Sequence, residues 1–231
     1  MLSNRGLMLS SGSWGHAHVR PAPFFSSLNS STVDVAAGNS RTFSSVNIGT
    51  PDSKRLVVVH GGLGGTVGAA QIGVTVNGVT ADLILSAAGA QGIFTALVPT
   101  GTLVDIVLTN NSGAVSARQM AGVFVCYPDD PVAIEELAGS AGTTTNAVIS
   151  DIAVVAGGFV VWGYEQYNTA GTVSVTWTGA EAVNESYDTT LETSTWAGGY
   201  VLPLTDNTTA DMTAAESTSG FKELLVCSWG P

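Results

Sequence analysis

The chain has 231 residues, of which 45% are hydrophobic and only 11% are charged, and its seven basic and eighteen acidic residues give a net charge of −11. This balance argues against nucleic acid as a partner, because phosphate binding needs clustered lysine and arginine. No apolar stretch approaches the roughly 18 residues of a membrane span, so we expect no membrane insertion.

Residues 1–30 are predicted to form an extended docking arm, because they lack the periodicity of a helix or a strand. Residues 1–33 contain two arginines and no carboxylate, so the arm is basic while the rest of the chain is acidic. Its aromatic residues are too apolar for a freely solvated tail, so we expect burial against a partner subunit or the body. The expected docking residues, anchored by charge-assisted hydrogen bonds and buried rings, are Arg5, Trp14, Arg20, Phe24 and Phe25.

Residues 31–128 are predicted to form a first β-sandwich module. Short β-type runs alternate with turn signals about every 8 to 12 residues, which is typical of an antiparallel sandwich or barrel. Asn77-Gly78 predicts a type I′ hairpin, because both central positions of that turn need positive φ. The predicted strands are 32–36, 41–48, 55–60, 72–77, 81–86, 92–98, 103–110 and 116–127.

Residues 129–140 are predicted to form a short helical linker, and residues 141–231 a second β-sandwich module. Asp130 is the expected N-cap, Pro131 the first helical residue and Gly139 the stop. No crossover helices stand between the later strands, so a parallel α/β fold is excluded. The predicted strands of the second module are 146–154, 158–166, 172–178, 181–187, 196–204, 210–216 and 221–229.

The two modules repeat one pattern. Leu56-Val57-Val58-Val59 returns 103 residues later as Phe159-Val160-Val161-Trp162, and Val74-Thr75-Val76-Asn77-Gly78 returns 101 residues later as Val175-Thr176-Trp177-Thr178-Gly179. A small drift in the offset is what loop insertions produce, so the pattern indicates duplication. The predicted fold is all-β: two tandem, structurally similar antiparallel sandwiches of jelly-roll or immunoglobulin-like order, with an extended N-terminal arm.

The chain offers no motif that predicts catalysis or a cofactor. His60-Gly61-Gly62-Leu63-Gly64-Gly65 follows a strand, but Val67 stands where a dinucleotide fingerprint needs its third glycine, and no helix follows. An oxyanion loop would need a G-x-S-x-G nucleophile elsewhere, which the sequence lacks. We interpret the segment as a flexible hairpin loop.

Metal binding and glycoside hydrolysis have weak sequence support. His16 and His18 lie on one face of an extended arm, but they supply only two ligands. The second module concentrates acid without a spacing that establishes a pair of catalytic carboxylates, and solvent-facing strand positions explain that acid better. We therefore expect no enzyme, no cofactor and no metal. The acidic residues concerned are Glu165, Glu181, Glu185, Asp188 and Glu192.

Cys126 and Cys227 fall at matching points of the last strand of each repeat. Equivalent positions of separate modules rarely come close enough for a disulfide, so we favour small buried thiols. An inter-subunit cross-link in an oxidising environment is the alternative.

The strand patterns resemble those of β-rich structural proteins of tailed bacteriophages and prophages, over about 41–229. The resemblance implies a virion component of tail, neck, collar or fibre type, assembled in the cytoplasm of a bacterial host, with other virion proteins and copies of itself as partners. The segments that carry it include Arg41-Thr42-Phe43-Ser44-Ser45-Val46-Asn47-Ile48-Gly49, Asp52-Ser53-Lys54-Arg55-Leu56-Val57-Val58-Val59, Gly157-Gly158-Phe159-Val160 and Val226-Cys227-Ser228-Trp229.

Two other function classes stay open. A carbohydrate-binding module or adhesin, with a host surface glycan as partner, would use exposed aromatic residues on a sandwich. A hydrolase of surface polysaccharide would need a catalytic constellation that the sequence does not display. The aromatic residues that crowd the second module are Trp162, Tyr164, Tyr167, Trp177, Tyr187, Trp196 and Tyr200.

Overall fold

A computed structural model of the chain describes residues 21–64, 69–86, 91–116, 118–141, 146–167, 171–179, 181–191, 194–202, 204–205, 208–218 and 220–231. Within these ranges the chain forms seventeen β-strands and one 3₁₀ turn, Ala69–Gln71, and no α-helix. The predicted all-β class is confirmed.

The strands fall into two runs along the chain. The first run is β1 Phe24–Ser31, β2 Ser40–Asn47, β3 Leu56–Gly64, β4 Ile72–Val76, β5 Val79–Thr80, β6 Asp82–Ser86, β7 Gln91–Leu97, β8 Leu103–Asn110 and β9 Arg118–Cys126. The second run is β10 Glu135–Ala141, β11 Asn146–Ala153, β12 Phe159–Gln166, β13 Val173–Trp177, β14 Val183–Leu191, β15 Ser194–Val201, β16 Thr209–Glu216 and β17 Lys222–Trp229.

The strands pair into four antiparallel sheets whose orders repeat. The first inner sheet has the order β1-β9-β3-β7-β6 and the first outer sheet the order β2-β8-β4-β5. The second inner sheet has the order β10-β17-β12-β15-β14 and the second outer sheet the order β11-β16-β13. Counted along its own run, each strand of the second half occupies the place of its counterpart in the first, and only β5 has no counterpart.

Three apolar layers separate the four sheets. One layer lies between the first inner and outer sheets, with Val57, Val59, Ile106 and Leu108 among its buried members. A second layer lies between the other inner and outer pair. The third joins the two inner sheets and includes Val58, Phe124, Val161 and Trp229. The central strands β3 and β12 are therefore buried on both faces, which is why their sequences are continuous apolar runs.

The two halves also share their irregularities. A bulge in β2 places Ser45 at φ 60°, and its N–H donates to Asp105 Oδ1 at 3.4 Å. A bulge in β11 places Asp151 at φ 58°, and its N–H donates to Asp211 Oδ1 at 2.9 Å. The edge strands β6 and β14 each carry a further irregularity at the matching point of their pairing with β7 and β15. Bulges re-aim a strand, so both outer sheets bend at the same place.

Arg55 is a buried cation that ties the loops at one end of the first half together. Its Nε donates to the carbonyl oxygen of Val98 at 2.8 Å, and its two terminal nitrogens donate to four more carbonyl oxygens at 2.7 to 3.3 Å. The side chain is fully buried. A guanidinium has five N–H donors and no acceptor, so this ring of carbonyls satisfies it without a carboxylate. The remaining acceptors are Ile48, Gly49, Thr100 and Gly101.

The predicted helical linker is wrong. Asp130 Oδ1 accepts the N–H of Val132 at 3.0 Å, as a cap would, but no helix follows. Ile134 instead donates to the carbonyl of Ser228 at 2.8 Å, and residues 135–141 form β10 along β17. A helix of eight residues is marginal alone, whereas a strand here satisfies the edge of the second inner sheet. Gly139 permits this, because a Cβ there would collide with the Val148 carbonyl of β11.

The predicted arm is too long at its C-terminal end. Phe24 and Phe25 begin β1, which pairs with β9 as an edge strand of the first inner sheet. The strand predicted at 32–36 is also wrong, since only Val35 makes an isolated bridge there. Pro21 and Pro23 stop regular pairing just before β1 and hide the strand from a periodicity analysis. Residues 1–20, with Arg5, Trp14, Arg20, His16 and His18, lie outside the described residues.

One turn prediction is confirmed and one is wrong. Asn77 and Gly78 have φ of 52° and 78°, as a type I′ turn needs, and they join β4 to β5. The segment His60 to Gly64 is not a hairpin loop, because it continues β3 and is fully buried. Its glycines do not loosen the strand, because β7 and β9 hold it on both sides.

We expect β1 to be integral to the fold. A chain beginning at Thr32 should unfold with a free energy lower by about 3 kcal/mol than a chain beginning at Pro21, because it loses the strand pairing with β9 and the packing of two half-buried phenylalanines. Chemical denaturation of both measures this difference, and both lack residues 1–20, so they form a matched pair. Equal midpoints and slopes would show that β1 contributes nothing to stability.

Candidate functional site

The layer between the two inner sheets is apolar at one end and polar at the other. Its apolar end includes Leu56, Val58, Phe124, Cys126, Phe159, Val161, Leu225, Cys227 and Trp229. At the other end, ionisable and polar side chains from both sheets meet, and we call this set the interlayer polar cluster. Its members are His60, Gln91, Arg118, Glu165, Tyr187, Ser194 and Glu223.

A chain of hydrogen bonds crosses the layer through His60. The hydroxyl of Tyr187 in the second inner sheet donates to His60 Nδ1. His60 Nε2 donates to Gln91 Oε1 at 2.6 Å, and Gln91 Nε2 donates to the backbone oxygen of Glu223 at 3.1 Å. An amide oxygen only accepts, so the hydrogen of the neutral ring stands on Nε2. The hydrogen-bonded path therefore runs from Tyr187 in the second inner sheet to His60 and Gln91 in the first, and ends on Glu223 in the second.

Burial keeps His60 neutral. The ring is fully enclosed, and loss of hydration lowers the pKa of His60 to about 4, although the hydrogen bond to Gln91 raises it slightly. An imidazole that stays neutral at physiological pH keeps a lone pair on Nδ1, which accepts the hydrogen bond from the Tyr187 hydroxyl. The arrangement fixes the two sheets relative to each other and leaves no free lone pair on the ring for chemistry.

Glycines make room for the two rings. A Cβ on Gly163 of β12 would overlap the His60 ring, and a Cβ on either Gly122 or Gly198 would overlap the ring of Tyr187. The His60 ring therefore packs directly on the backbone of the opposite sheet at Gly163, where there is no side chain. Tyr187 lies between a glycine of its own sheet and one of the facing sheet. The close approach of the inner sheets depends on these three positions.

Glu165 is the most unusual ionisable group in the cluster. Burial raises its pKa, and the neighbouring Glu223 carboxyl raises it further, while the Tyr167 hydroxyl and the Arg118 guanidinium lower it. Glu165 and Glu223 are directly paired across β12 and β17. Two carboxyls so close in a dry layer do not both ionise readily, so Glu165 keeps its proton to a higher pH than an exposed glutamate does. Arg118 crosses the layer and donates to Ser194 Oγ at 2.6 Å.

Asp188 and Glu185 accept hydrogen bonds from the edge strand of the second outer sheet. Asp188 Oδ2 accepts the N–H of Val173 at 3.3 Å, and Glu185 Oε1 accepts the N–H of Val175 at 3.0 Å. Both acceptors lie on β14 and both donors on β13, the edge strand of the second outer sheet. Carboxylates bonded to an edge discourage pairing with a foreign strand. The predicted solvent-facing role is thus wrong for the buried Glu165, and Glu192 lies outside the described residues.

The described docking residues contribute to the body's own core. Phe24 packs on the first apolar layer, against Gly49. The ring of Phe25 lies 5.3 Å from that of Phe124 and 5.7 Å from that of Tyr187, measured between centroids. Both rings anchor β1 within the chain, where the sequence allowed either the body or a partner.

The two cysteines are buried thiols in the central layer. Burial raises the pKa of both, so neither is a reactive thiolate. The two cysteines do not occupy equivalent positions in their sheets. Cys126 pairs with Leu56, whose predicted counterpart is Phe159. Cys227 instead pairs with Val161, two residues further along the strand. The sequence match of these strands is therefore two residues out of step with the strand pairing.

The aromatic residues of the second half are mostly enclosed. Trp162, Tyr164 and Trp196 are fully buried, and Tyr187 is 8% exposed. Trp177 is half-buried and donates through Nε1 to Glu181 Oε2 at 3.1 Å. These rings form core and layer contacts and do not make a flat exposed platform for a sugar.

Comparisons of the chain with protein-family models, with curated proteins and with solved structures find no match. Among the described residues, no three His, Cys, Asp or Glu side chains are grouped as a metal site. The same part of the chain contains no helix long and apolar enough to cross a membrane.

Sequence reasoning missed the interlayer polar cluster. The usable signal was the lack of alternation in Leu56-Val57-Val58-Val59 and in Phe159-Val160-Val161-Trp162, because strands without a polar face are covered on both sides. A second signal was glycine inside such strands, which marks close approach by another backbone or ring. Neither signal identifies which glycine faces which ring.

We expect Gly163→Ala to destabilise the chain by about 1–3 kcal/mol, because the added methyl group must displace the His60 ring from a closed layer. Gly113→Ala is the matched control, since a Cβ there meets nothing within 4 Å. Urea denaturation monitored by tryptophan fluorescence measures both. Equal stability of the two variants would show that the sheets do not pack as closely at His60 as described.

We expect Glu165→Gln to make the stability less dependent on pH. Unfolded Glu165 ionises above its ordinary pKa of 4.5 while the folded residue keeps its proton, so the wild type loses stability as the pH rises. Between pH 4.5 and the raised pKa of folded Glu165, the advantage of Glu165→Gln should grow by up to about 1.4 kcal/mol per pH unit. Denaturation curves at pH 4 to 8 measure it, and a constant difference would contradict the raised pKa.

Glu181→Gln provides the opposite control. Burial raises the pKa of Glu181, but hydrogen bonds from Thr205 and Trp177 outweigh this and hold it at about 2. A lowered pKa stabilises the fold above pH 4.5, and this contribution is lost as the pH falls towards 2. Glu181→Gln should therefore be less stable than the wild type at pH 7, and the gap should close in acid.

Proposed function

We propose that the chain is a non-enzymatic structural component of a tailed-phage virion, built from two tandem jelly-roll modules. The observation that carries the proposal is the sheet order that the two strand runs repeat, with their inner sheets packed against each other. This architecture uses its ionisable groups to hold layers together. Only 11% of the residues are charged, so the chain loses little hydration when its surface docks onto a neighbour.

The pairing order favours a jelly roll over an immunoglobulin-like sandwich. If β5 and β6 are counted as one strand that passes from the outer to the inner sheet, the first strand of the module pairs with the eighth, the eighth with the third and the third with the sixth. The second strand pairs with the seventh and the seventh with the fourth. This double Greek key is the jelly-roll order, which is frequent in viral capsid domains. The second half follows the same order.

Duplication is supported by features that chance pairing would not repeat. The bulges at Ser45 and Asp151 are each held by an aspartate on the neighbouring strand. Asp105 and Asp211 also use their backbone oxygens in the same way, accepting from Asn77 at 2.8 Å and from Thr178 at 3.1 Å. One module copied and fused would produce these pairs together.

The chemistry of the layer supports a structural role over catalysis. His60, Glu165 and Tyr187 are the groups whose protonation would suit general acid or base work, but all three are buried, and His60 and Tyr187 are bonded to each other. Substrate would have to separate the sheets to reach them. The carbohydrate-binding alternative gains no support, because the aromatic residues it needs are largely buried.

We expect the chain to be present in purified particles. After induction of the bacterium that encodes it, particles isolated on a density gradient should contain the chain at a fixed ratio to the other virion proteins, measured by quantitative mass spectrometry. Abundant host proteins of similar size are the control for carry-over. A chain that is plentiful in the lysate and missing from the particles would refute the proposed function.

A further inference from the structure

An open groove lies at one margin of the layer between the inner sheets, and we call it the margin groove. It has a volume of about 360 Å³ and lies between the β5–β6 segment and residues 131–136, which lead into β10. Val79, Leu97 and Val132 line it with exposed apolar surface, at 40%, 44% and 68% exposure. Its charged residues are Asp82 and Glu136, both exposed carboxylates. The groove is therefore apolar with an acidic rim.

The counterpart position at the opposite margin of the layer is filled, and a separate open pocket of about 240 Å³ lies beyond it between Pro23, Phe159 and Pro231. β6 lies beside β10 at the margin groove, and β1 lies beside β14 at the other side. There the space bounded by Pro23, Phe24 and Tyr200 leaves no room for a water molecule. The repeated sheet order makes these two margins counterparts. The position that is open at the margin groove is filled by side chains at the other margin.

Strand register shows which side chains make the difference. Val58 pairs with Thr95 and Phe124, and its counterpart Val161 pairs with Tyr200 and Cys227. Thr95 at the groove thus stands where Tyr200 stands at the opposite margin.

The edge strands differ in the same direction. Phe25 pairs with Phe124, and Glu136 pairs with Cys227. Glu136 at the groove therefore stands where Phe25 stands at the opposite margin. Two aromatic rings are replaced by a small and an acidic side chain, which leaves a space that suits an aromatic and basic segment.

The cations of the body are not available to meet that rim. Five of the seven basic residues lie in described ranges, and each already donates to an oxygen of the body. Arg5 and Arg20 are the two others, within a segment that has no carboxylate and contains Trp14. The engaged cations are Arg41 with Ser31, Lys54 with Asp129, Arg55 with its five carbonyls, Arg118 with Ser194 and Lys222 with Thr218.

We propose that the margin groove of one copy receives residues 1–20 of a second copy, an inference that rests on the proposed assembly role. Trp14 supplies the missing ring, and an arginine pairs with Asp82 or Glu136. The described chain begins at Pro21, just before β1, at the edge of the first inner sheet opposite β6. The segment that is inserted and the groove that receives it thus lie at opposite margins of one molecule. Copies therefore join head to tail and generate a ring or a helical stack.

Photo-cross-linking on the full chain tests the occupant directly. A photoreactive phenylalanine derivative replaces Trp14, and equal amounts of ¹⁵N-labelled and unlabelled protein are mixed before irradiation. We expect cross-linked peptides that contain residues 79–84 or 131–136, half of them joining a labelled to an unlabelled copy. Cross-links within single copies alone, cross-links elsewhere or no cross-links would each overturn the proposal.

A charge reversal tests the rim without disturbing the core. Glu136→Lys should weaken self-association about tenfold at low salt, measured by sedimentation velocity, because it repels the arginines of the incoming segment. Asp34→Lys makes the same change at another exposed carboxylate and should leave association unchanged. Combining Glu136→Lys with Arg5→Glu and Arg20→Glu should restore it. Equal association of the two lysine variants would overturn the proposal.

The groove hypothesis and the virion hypothesis can be refuted independently of each other. Association through the margin groove by a chain that never enters particles would preserve the inference and remove the virion role. A chain that enters particles, and whose Glu136→Lys variant associates as well as the wild type, would preserve the role and remove the groove as the receiving surface.

Discussion

The face-to-face packing of the two inner sheets is the constraint on which the rest of the structure depends. Each inner sheet has an outer sheet on its other side, so β3 and β12 have no solvent face and cannot alternate polar with apolar residues. Burial of large side chains such as Phe124 and Trp229 stabilises this layer by about 1.5–3 kcal/mol each. The glycines facing His60 and Tyr187 set how closely the sheets approach. Separation of the halves would expose the whole layer.

Apolar contact alone would leave the register of the stacked sheets weakly defined, because apolar surfaces slide at little cost. The hydrogen-bonded path through Tyr187, His60 and Gln91 has one satisfactory arrangement, since a slip would leave buried donors without acceptors. Buried polar groups that contribute little net stability can still specify one geometry. The cluster therefore acts as a positional lock, and its enclosure is consistent with a building block.

Local sequence signals predicted most strand positions, but they did not indicate how the strands are ordered within the sheets. Alternation and turn chemistry are local, so most strand positions and the Asn77-Gly78 turn could be inferred from the sequence. The helix predicted after Asp130 does not form. Its basis was a capping signal, which indicates where a helix can begin but not whether the following residues stay helical. Residues 135–141 pair with the open edge of β17 instead. The candidate site could not be inferred, since the approach of His60 to Gly163 joins residues 103 positions apart in two different sheets.

A repeated sheet order with unlike side chains at its two margins lets a nearly symmetric scaffold make an asymmetric contact. If both margins of the central layer carried the same residues, both would be open or both closed, and copies would have no direction of assembly. Phe25 and Tyr200 occupy one margin at the register positions that Glu136 and Thr95 occupy at the open groove. A directional contact needs two unlike surfaces on one molecule, and a difference at a few side chains produces them without changing the fold.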